Sequence, residues 1–174
     1  MKTPIVKKIL TLLGLVMVVV HLSAQTDSSG RKQMSDELMK NSYIFEGKVI
    51  SIHRYTHKIN EEEYKIYTSY IVEVKKVVKG NIQRGTINIL IPDVHISDGQ
   101  IIMPKEGLYF CYTDSPVKDS SVTNTNSKSL EYYCGESMEK GELKKDSDDN
   151  LINYFSSIAD FYAYISANYG VTIK

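Results

Sequence analysis

The hydrophobic and polar positions along the chain predict a domain of β-strands that closes on a helix. The clearest strand signal is YKIYTSYIVEV, residues 64–74, in which apolar or aromatic residues alternate with more polar ones. An earlier strand, roughly Ser42 to His53, differs because its apolar residues fall on both registers of the alternation and Gly47 lies in its middle. Three further strands are predicted: TINILI (86–91), LYFCYT (108–113) and LEYYC (130–134).

Two segments have helical rather than strand character. Near the end of the chain, apolar residues recur at spacings of four and three from Asn150 onward: Leu151, Phe155, Ile158, Tyr162 and Ile165. Asp148 and Asp149 precede this stripe and Gly170 follows it, which is typical of helix termini. Before the first strand, Ser35 is a candidate N-cap for a helix of one or two turns.

Five strands followed by an amphipathic helix fit a small, strongly coiled antiparallel barrel. In such a barrel one strand can serve both sides of the sheet, which explains the apolar residues on both registers of 43–51, and Gly47 lets that strand bend. We therefore predict a mainly β fold: a five-stranded OB-like antiparallel barrel with a short N-terminal helix and a C-terminal amphipathic helix. It forms a single domain over 35–174, after a flexible polar leader over 25–34.

The first 24 residues have the pattern of a secretory signal peptide. Lysines at the start precede an apolar run over 9–22, and cleavage is predicted between Ala24 and Gln25. The apolar run is shorter than the about 20 residues of a membrane span, although an uncleaved anchor is the alternative. A lipoprotein would have a cysteine where Gln25 stands. We therefore expect a secreted or periplasmic protein, without a lipid anchor or a transmembrane segment in the mature chain.

The charge balance argues against a nucleic-acid partner. Without the signal peptide the chain has 18 basic and 21 acidic residues, a net charge of −3. Lys75, Lys76, Lys79 and Arg84 form a basic stretch near tyrosines, and OB folds often bind single strands through such surfaces. Export and the net charge favour a solvated strand edge and turn instead.

The two cysteines, Cys111 and Cys134, lie in different predicted strands. Because two cysteines in an exported chain favour a disulfide, we predict a bond between them, joining neighbouring strands. The alternative is a pair of buried free thiols. A catalytic cysteine is less favoured than either.

The histidines do not form a strong metal motif. His53 and His57 have the spacing of zinc ligands on a helix, but on a strand they are separated by about 13 Å. Asp93, His95 and Asp98 could form a weak divalent-cation site, although loops carry such residues in any case. The sequence has no G-x-S-x-G, P-loop or dinucleotide-binding motif. We therefore expect no catalytic residue, metal or cofactor.

Two further groups of residues allow either a purely structural or a functional interpretation. The run Glu61-Glu62-Glu63 is interpreted as a solvated turn rather than acid–base machinery. Four tyrosines could line a face that contacts a protein or a glycan, or could simply be half-buried strand residues: Tyr55, Tyr64, Tyr67 and Tyr70.

Two stretches resemble the netrin/TIMP-like OB-fold domains that open many secreted bacterial proteins: SDELMKNSYIFEGKVISIHRY (35–55) and YIVEVKKVVKGNIQRGTINILI (70–91). The shared pattern is a short helix, a strand with F-x-G-x-V, a long strand closing on V-x-K-G, and a strand after G-T, within 35–112. The resemblance implies the fold and a non-catalytic, extracytoplasmic binding role.

The same resemblance marks two departures from the family. Eukaryotic TIMPs chelate the zinc of metalloproteases through an amino-terminal cysteine, whereas this mature chain is predicted to begin at Gln25 with no cysteine nearby. Many bacterial relatives continue into further domains, whereas this sequence ends at Lys174, so we expect a domain that stands alone or a shortened form.

The function expected from the sequence is an exported, non-catalytic binding or interaction module. Its partner would be a protein or glycan of the cell envelope or the extracellular space. Two alternatives are a secreted protease inhibitor that uses the barrel rim, and a small extracytoplasmic hydrolase.

Overall fold

A computed structural model describes residues 28–92, 103–115, 117, 128–145 and 151–174. These residues form a mainly β fold with a helix on either side of the strands in sequence, as predicted. Helix α1 covers 28–38. The strands are β1 (Tyr43–Lys58), β2 (Tyr64–Lys79), β3 (Gly85–Pro92), β4 (Glu106–Asp114), β5 (Ser129–Glu139) and β6 (Glu142–Leu143). A short 3-10 helix (Leu151–Asn153) precedes helix α2 (Ile158–Tyr169).

Five of the strands are joined in a closed ring of pairings. The sheet order is β3-β2-β1-β4-β5-β6, and β3 also pairs with β5 in parallel through residues such as Ile89 and Leu130. All other pairings are antiparallel. The sixth strand is too short to give a signal in the sequence, and it extends β5 as a hairpin. Within the described residues, no helix is long and apolar enough to span a membrane.

The start of β1 is buried on both of its faces, as its apolar pattern predicts. Phe45 packs in one hydrophobic cluster and Ile44 in another, and both side chains are fully buried. Gly47 is required by a close approach: a Cβ atom there would lie 2.6 Å from Val72 Cγ1 and 2.9 Å from the Glu73 carbonyl oxygen. The register with β2 shifts on either side of this glycine. Such shifts bend a strand, and the position agrees with the bend predicted at Gly47.

The apolar side chains divide into two clusters. The inner cluster draws on all five strands of the ring: Phe45, Val49, Tyr70, Val72, Val74, Val77, Ile82, Ile87, Ile89, Ile91, Met103, Tyr109, Cys111 and Leu130. The helix cluster lies between the sheet and the helical segments: Leu38, Ile44, Val78, Leu108, Phe110, Met138, Leu143, Leu151, Phe155, Ile158, Phe161, Tyr162 and Ile165. Since α2 contributes only to the second cluster, it covers the outside of the ring.

The C-terminal helix was predicted to run unbroken from Asn150, and this is wrong in its first part. All five residues of the predicted stripe are buried, but they belong to the 3-10 helix, the connection after it and α2. Ser157 begins α2 as its N-cap, with its hydroxyl accepting from Asp160 N at 3.1 Å. Gly170 ends the helix in the left-handed conformation, as predicted (φ 65°). Asp148 and Asp149 lie outside the described residues.

The N-terminal helix is longer than predicted, and Ser35 is not its N-cap. Ser35 lies inside α1 and is fully buried, because the helix already includes residues 28–34 of the stretch assigned to the leader. Two contacts hold α1 against α2: Tyr169 donates its hydroxyl hydrogen to Asp36 at 2.6 Å, and Arg31 pairs with Asp160 at 3.2 Å. The predicted signal peptide and its cleavage site, Ala24 and Gln25, lie outside the described residues.

Candidate ligand pocket

A pocket of about 250 Å³ lies at the joint where the ring of strands closes. Its lining combines three tyrosines, one carboxylate and several smaller side chains: Tyr67, Leu90, Pro92, Tyr112, Ser115, Val117, Glu131 and Tyr132. We refer to it as the tyrosine pocket.

Strand register brings these residues together. Tyr67 faces Pro92 across the β2–β3 pairing, and Leu90 faces Glu131 across the parallel β3–β5 pairing. Tyr112 lies in the part of β4 where its register with β5 shifts, between Cys111 and Asp114. The tyrosine pocket is therefore assembled from four strands and depends on the closed ring.

The aromatic side chains of the pocket are held by neighbouring rings. Tyr55 stacks on Tyr67 with centroids 5.8 Å apart, and His57 contacts the same ring edge-on at 6.3 Å. Tyr112 contacts Tyr133 at 4.8 Å and is 49% exposed, so it is accessible from solvent. The third pocket tyrosine, Tyr132, packs against the inner cluster, and burial raises its pKa, which keeps its hydroxyl neutral.

The charged group in the pocket lining is Glu131. The described residues that line the pocket include no lysine, arginine or histidine. Lys128, three positions before Glu131, is engaged elsewhere: its ammonium donates to Tyr43 Oη at 2.9 Å and to the Asn81 carbonyl oxygen at 3.1 Å. The lining can thus offer the aromatic side chains of Tyr67 and Tyr112 and a negative charge to a ligand.

The tyrosines named from the sequence separate in the structure. Tyr67 lines the pocket and Tyr55 supports it, whereas Tyr70 belongs to the inner cluster. Tyr64, at the start of β2, is exposed, and the Lys58 ammonium lies 5.8 Å from its ring centroid. The other lining residues with chemistry were missed: Tyr112, Glu131 and Tyr132. The pairing of β3 with β5 brings these residues to Tyr67. The alternation within a single strand gives no signal for that pairing.

His53 and His57 lie along one strand, because β1 continues through Lys58. His53 Nε2 is 3.1 Å from Ser51 Oγ, while His57 contacts the Tyr67 ring. Among the described residues, no group of three His, Cys, Asp or Glu side chains could hold a metal ion. The candidate cation site of Asp93, His95 and Asp98 lies outside the described residues. The hydrolase alternative would require a converging site around Asp93, His95 or His57, and of these His57 alone lies in the described residues.

The basic stretch ties elements of the fold together. The Lys79 ammonium donates to the carbonyl oxygens of Met39 (2.6 Å) and Asn41 (2.8 Å), between α1 and β1. The Lys76 ammonium donates to the Glu46 carboxylate at 2.8 Å. Lys75 lies 3.7 Å from Glu106, and Arg84 is exposed. These internal contacts account for three of the four basic side chains.

The acidic run is a solvated turn, as predicted. Glu61, Glu62 and Glu63 are exposed in the connection between β1 and β2. The Asn60 side-chain oxygen accepts hydrogen bonds from the backbone N–H groups of Glu62 (3.0 Å) and Glu63 (2.9 Å). Asn60 therefore closes the turn.

The predicted disulfide is not present in the structure, in which Cys111 and Cys134 are both free thiols. Cys111 belongs to the inner cluster, whereas Cys134 packs against the helix cluster and pairs across the strands with Phe110. Successive side chains of a strand point to opposite faces, so the two thiols lie on opposite sides of the β4–β5 pair, although the strands are neighbours. Burial raises the pKa of the Cys111 thiol, and it raises the pKa of Cys134 to about 12.

Comparison of the chain with protein-family models, with curated proteins and with solved structures found no match.

Proposed function

We propose that this chain is an exported, non-catalytic binding module, and that the tyrosine pocket is its ligand site. The observation that supports this most is the convergence of Tyr67, Tyr112 and Tyr132 at one pocket, with Tyr112 accessible from solvent. Ligand sites typically combine apolar and aromatic walls with a few polar groups, and this lining has that composition.

We further propose that the ring is an OB-like barrel of the netrin/TIMP-like kind. The order of pairings supports this, because β1 lies between β2 and β4 and the ring closes through a parallel β3–β5 contact. OB folds bind ligands beside strands 2 and 3 and the loop between strands 4 and 5. The tyrosine pocket adjoins these elements through Tyr67, Leu90 and Ser115.

Export is the part of the proposal that rests on residues 1–24. The mature protein would begin at Gln25 and act in the periplasm or outside the cell. Intact mass and amino-terminal sequencing of the protein from its host would identify the first residue. A mature chain that still begins at Met1 would contradict the cleavage.

The decisive experiment is cross-linking followed by affinity capture of the tagged protein in its native host. Envelope and medium would be analysed separately, with a Tyr67→Ala, Tyr112→Ala variant beside the wild type. A protein or glycan captured by the wild type and lost from the variant supports the tyrosine pocket as the site. A matched Tyr64→Ala variant removes an exposed tyrosine outside the pocket and should retain the partner. A partner that the pocket variant retains would overturn the assignment.

One observation favours the protease inhibitor as a second candidate. The distal hairpin, residues 50–66, extends beyond the ring: β4 pairs with β1 only as far as Lys48, and β3 pairs with β2 only from Tyr67. Its exposed side chains include Ile50, Ile52 and Ile66. Such a hairpin could enter a protease cleft.

The inhibitor alternative is tested with purified metalloproteases and serine proteases. Stoichiometric loss of protease activity that disappears in an Ile52→Asp, Ile66→Asp variant would favour it. Full protease activity in the presence of excess wild-type protein would eliminate the alternative for the proteases tested.

A further inference from the structure

We infer that the tyrosine pocket binds an organic cation, namely an alkylammonium or guanidinium group carried by a small molecule or by a lysine or arginine side chain. This inference rests on the proposed function, since it names the ligand chemistry of the same pocket. It follows from the aromatic lining, the position of one carboxylate and the size of the pocket.

The aromatic lining is the first argument. The face of a tyrosine ring is electron-rich and attracts a cation, and several rings around one space form the cages that hold ammonium groups. Tyr67, Tyr112 and Tyr132 line the tyrosine pocket from three different strands. Tyr55 stacks on Tyr67 and Tyr133 contacts Tyr112, so these two rings are held in place before a ligand arrives, while Tyr132 packs against the inner cluster.

The charge of the lining is the second argument. Glu131 contributes a carboxylate, and the described lining residues supply no basic side chain to balance it. Lys128 is held by Tyr43 and Asn81, and it also lies 3.6 Å from Asp114. A bound anion would face the Glu131 carboxylate with no compensating basic side chain among the described lining residues, whereas a cation would be attracted to it.

The size of the pocket is the third argument. Its volume of about 250 Å³ lies below the range of roughly 300–1,000 Å³ typical of drug-sized ligands. A single cationic head group fits this scale better than several sugar rings do. The exposed ring of Tyr112 lets a head group enter while the rest of its carrier remains in solvent.

The test compares a cation with a neutral molecule of the same shape. Choline and its carbon isostere 3,3-dimethyl-1-butanol would each be titrated into the mature protein (25–174), with chemical shifts or calorimetry as the readout. Choline should bind with a dissociation constant on the order of a millimolar or tighter, and at least about tenfold more tightly than the alcohol. Equal binding of the two molecules, or binding of neither, would overturn the inference.

Variants then assign the effect to residues. Glu131→Gln keeps the shape of the side chain and should weaken choline by about tenfold while leaving the alcohol unchanged. Tyr112→Phe retains the ring and should bind choline nearly as the wild type does, whereas Tyr112→Ala should not. Tyr64→Ala is the control outside the pocket, and thermal unfolding of each variant shows that it is folded. Unchanged choline affinity in both Glu131→Gln and Tyr112→Ala would place the bound cation elsewhere and overturn the inference.

A second pair of probes distinguishes the sources of the cation. A lysine-containing peptide that binds more tightly than choline, and loses affinity on acetylation of its lysine, would identify a protein side chain as the ligand. The converse ranking would identify a free small molecule. Should the captured partner depend on Tyr67 and Tyr112 while no cation outcompetes its isostere, the inference fails and the proposed function stands. If neither partner capture nor choline binding depends on the pocket residues, both the inference and the proposed function fail.

Discussion

The two halves of β1 both carry isoleucines, but these isoleucines lie in opposite environments. In the proximal half, 43–49, Ile44 is 0% exposed, whereas in the distal half, 50–58, Ile52 is 58% exposed. The proximal half lies between β2 and β4, but the distal half pairs only with β2 among the described strands. Apolar residues on both registers therefore signal burial on both faces only where the strand also has a neighbour on each side.

The largest expected contrast comes from the same substitution in each half. Ile44→Ala should destabilise the protein by about 2–5 kcal/mol, because it empties space in the helix cluster. Ile52→Ala should change the free energy of unfolding by less than about 0.5 kcal/mol, since its side chain is already exposed. Urea unfolding of both variants measures the difference, and equal losses would show that the distal half is buried in solution.

Gly47 makes the next test, because it lies at the bend of the proximal half. In Gly47→Ala the new methyl group would lie within 3 Å of Val72 Cγ1 and of the Glu73 carbonyl oxygen. Because neither atom belongs to a flexible side-chain end, we expect a loss of about 1–3 kcal/mol in urea unfolding. An unchanged urea midpoint would mean that β1 and β2 can move apart to accommodate the methyl group. It would contradict close packing of the proximal half against β2.

Two carboxylates, one in the proximal half and one in the turn after β1, give a smaller contrast. Glu46 accepts hydrogen bonds from Lys76 Nζ at 2.8 Å and from the Tyr162 hydroxyl, and so links β1, β2 and α2. Glu46→Gln removes its charge and should cost about 1–2 kcal/mol by urea unfolding. The matched control Glu61→Gln, at the exposed hairpin turn, should cost almost nothing. Similar effects of the two would show that the Glu46 contacts do not stabilise the fold.

Alkaline pH should weaken the proximal half gradually. Tyr109 packs against Phe45 with centroids 5.7 Å apart and donates to the Pro104 carbonyl oxygen at 2.7 Å. Burial raises the pKa of Tyr109 above the value of about 10 of an unfolded chain. Its contribution to stability is therefore complete below pH about 10 and is lost above it, at up to about 1.4 kcal/mol per pH unit.

The measurement is urea unfolding at pH values from about 8 to about 11.5, the upper end lying above the unfolded pKa of tyrosine. Tyr109→Phe should flatten the decline by the contribution of one group, while other buried tyrosines such as Tyr162 maintain the rest. A decline of the same slope in wild type and variant would contradict the assignment.

Much of the fold could be predicted from residue patterns. The alternation of apolar and polar residues predicted β2, and apolar residues on both registers predicted the proximal half of β1. Gly170 correctly predicted the end of α2. The prediction of an unbroken helix from Asn150 was wrong. The apolar stripe is continuous in sequence, but Ser157 caps a new helix within it. The end of β1 beyond His53 was not predicted, because its mostly polar residues pair with β2 without becoming buried.

The tyrosine pocket was harder to predict than the strands that form it. Tyr67 is one of the four tyrosines singled out in the sequence, but Glu131 becomes its neighbour only through the parallel β3–β5 joint, about 40 residues away from Leu90 in sequence. The predicted disulfide, which the structure does not contain, raises a related point: the sequence indicates that Cys111 and Cys134 lie on neighbouring strands but not which faces they occupy. Intact mass with and without reductant, after alkylation under denaturing conditions, would decide the state of the thiols.

The β3–β5 joint also bears on the order in which the molecule folds. Hairpins such as β1–β2 close short loops and form early, whereas a parallel contact between distant strands has to overcome the entropy of a longer loop. We therefore expect the joint to form late, with the rest of the ring already in place. Because Leu90 and Glu131 are paired across it, the tyrosine pocket comes into existence with that last step. A ligand in the pocket would slow unfolding by holding the ring closed.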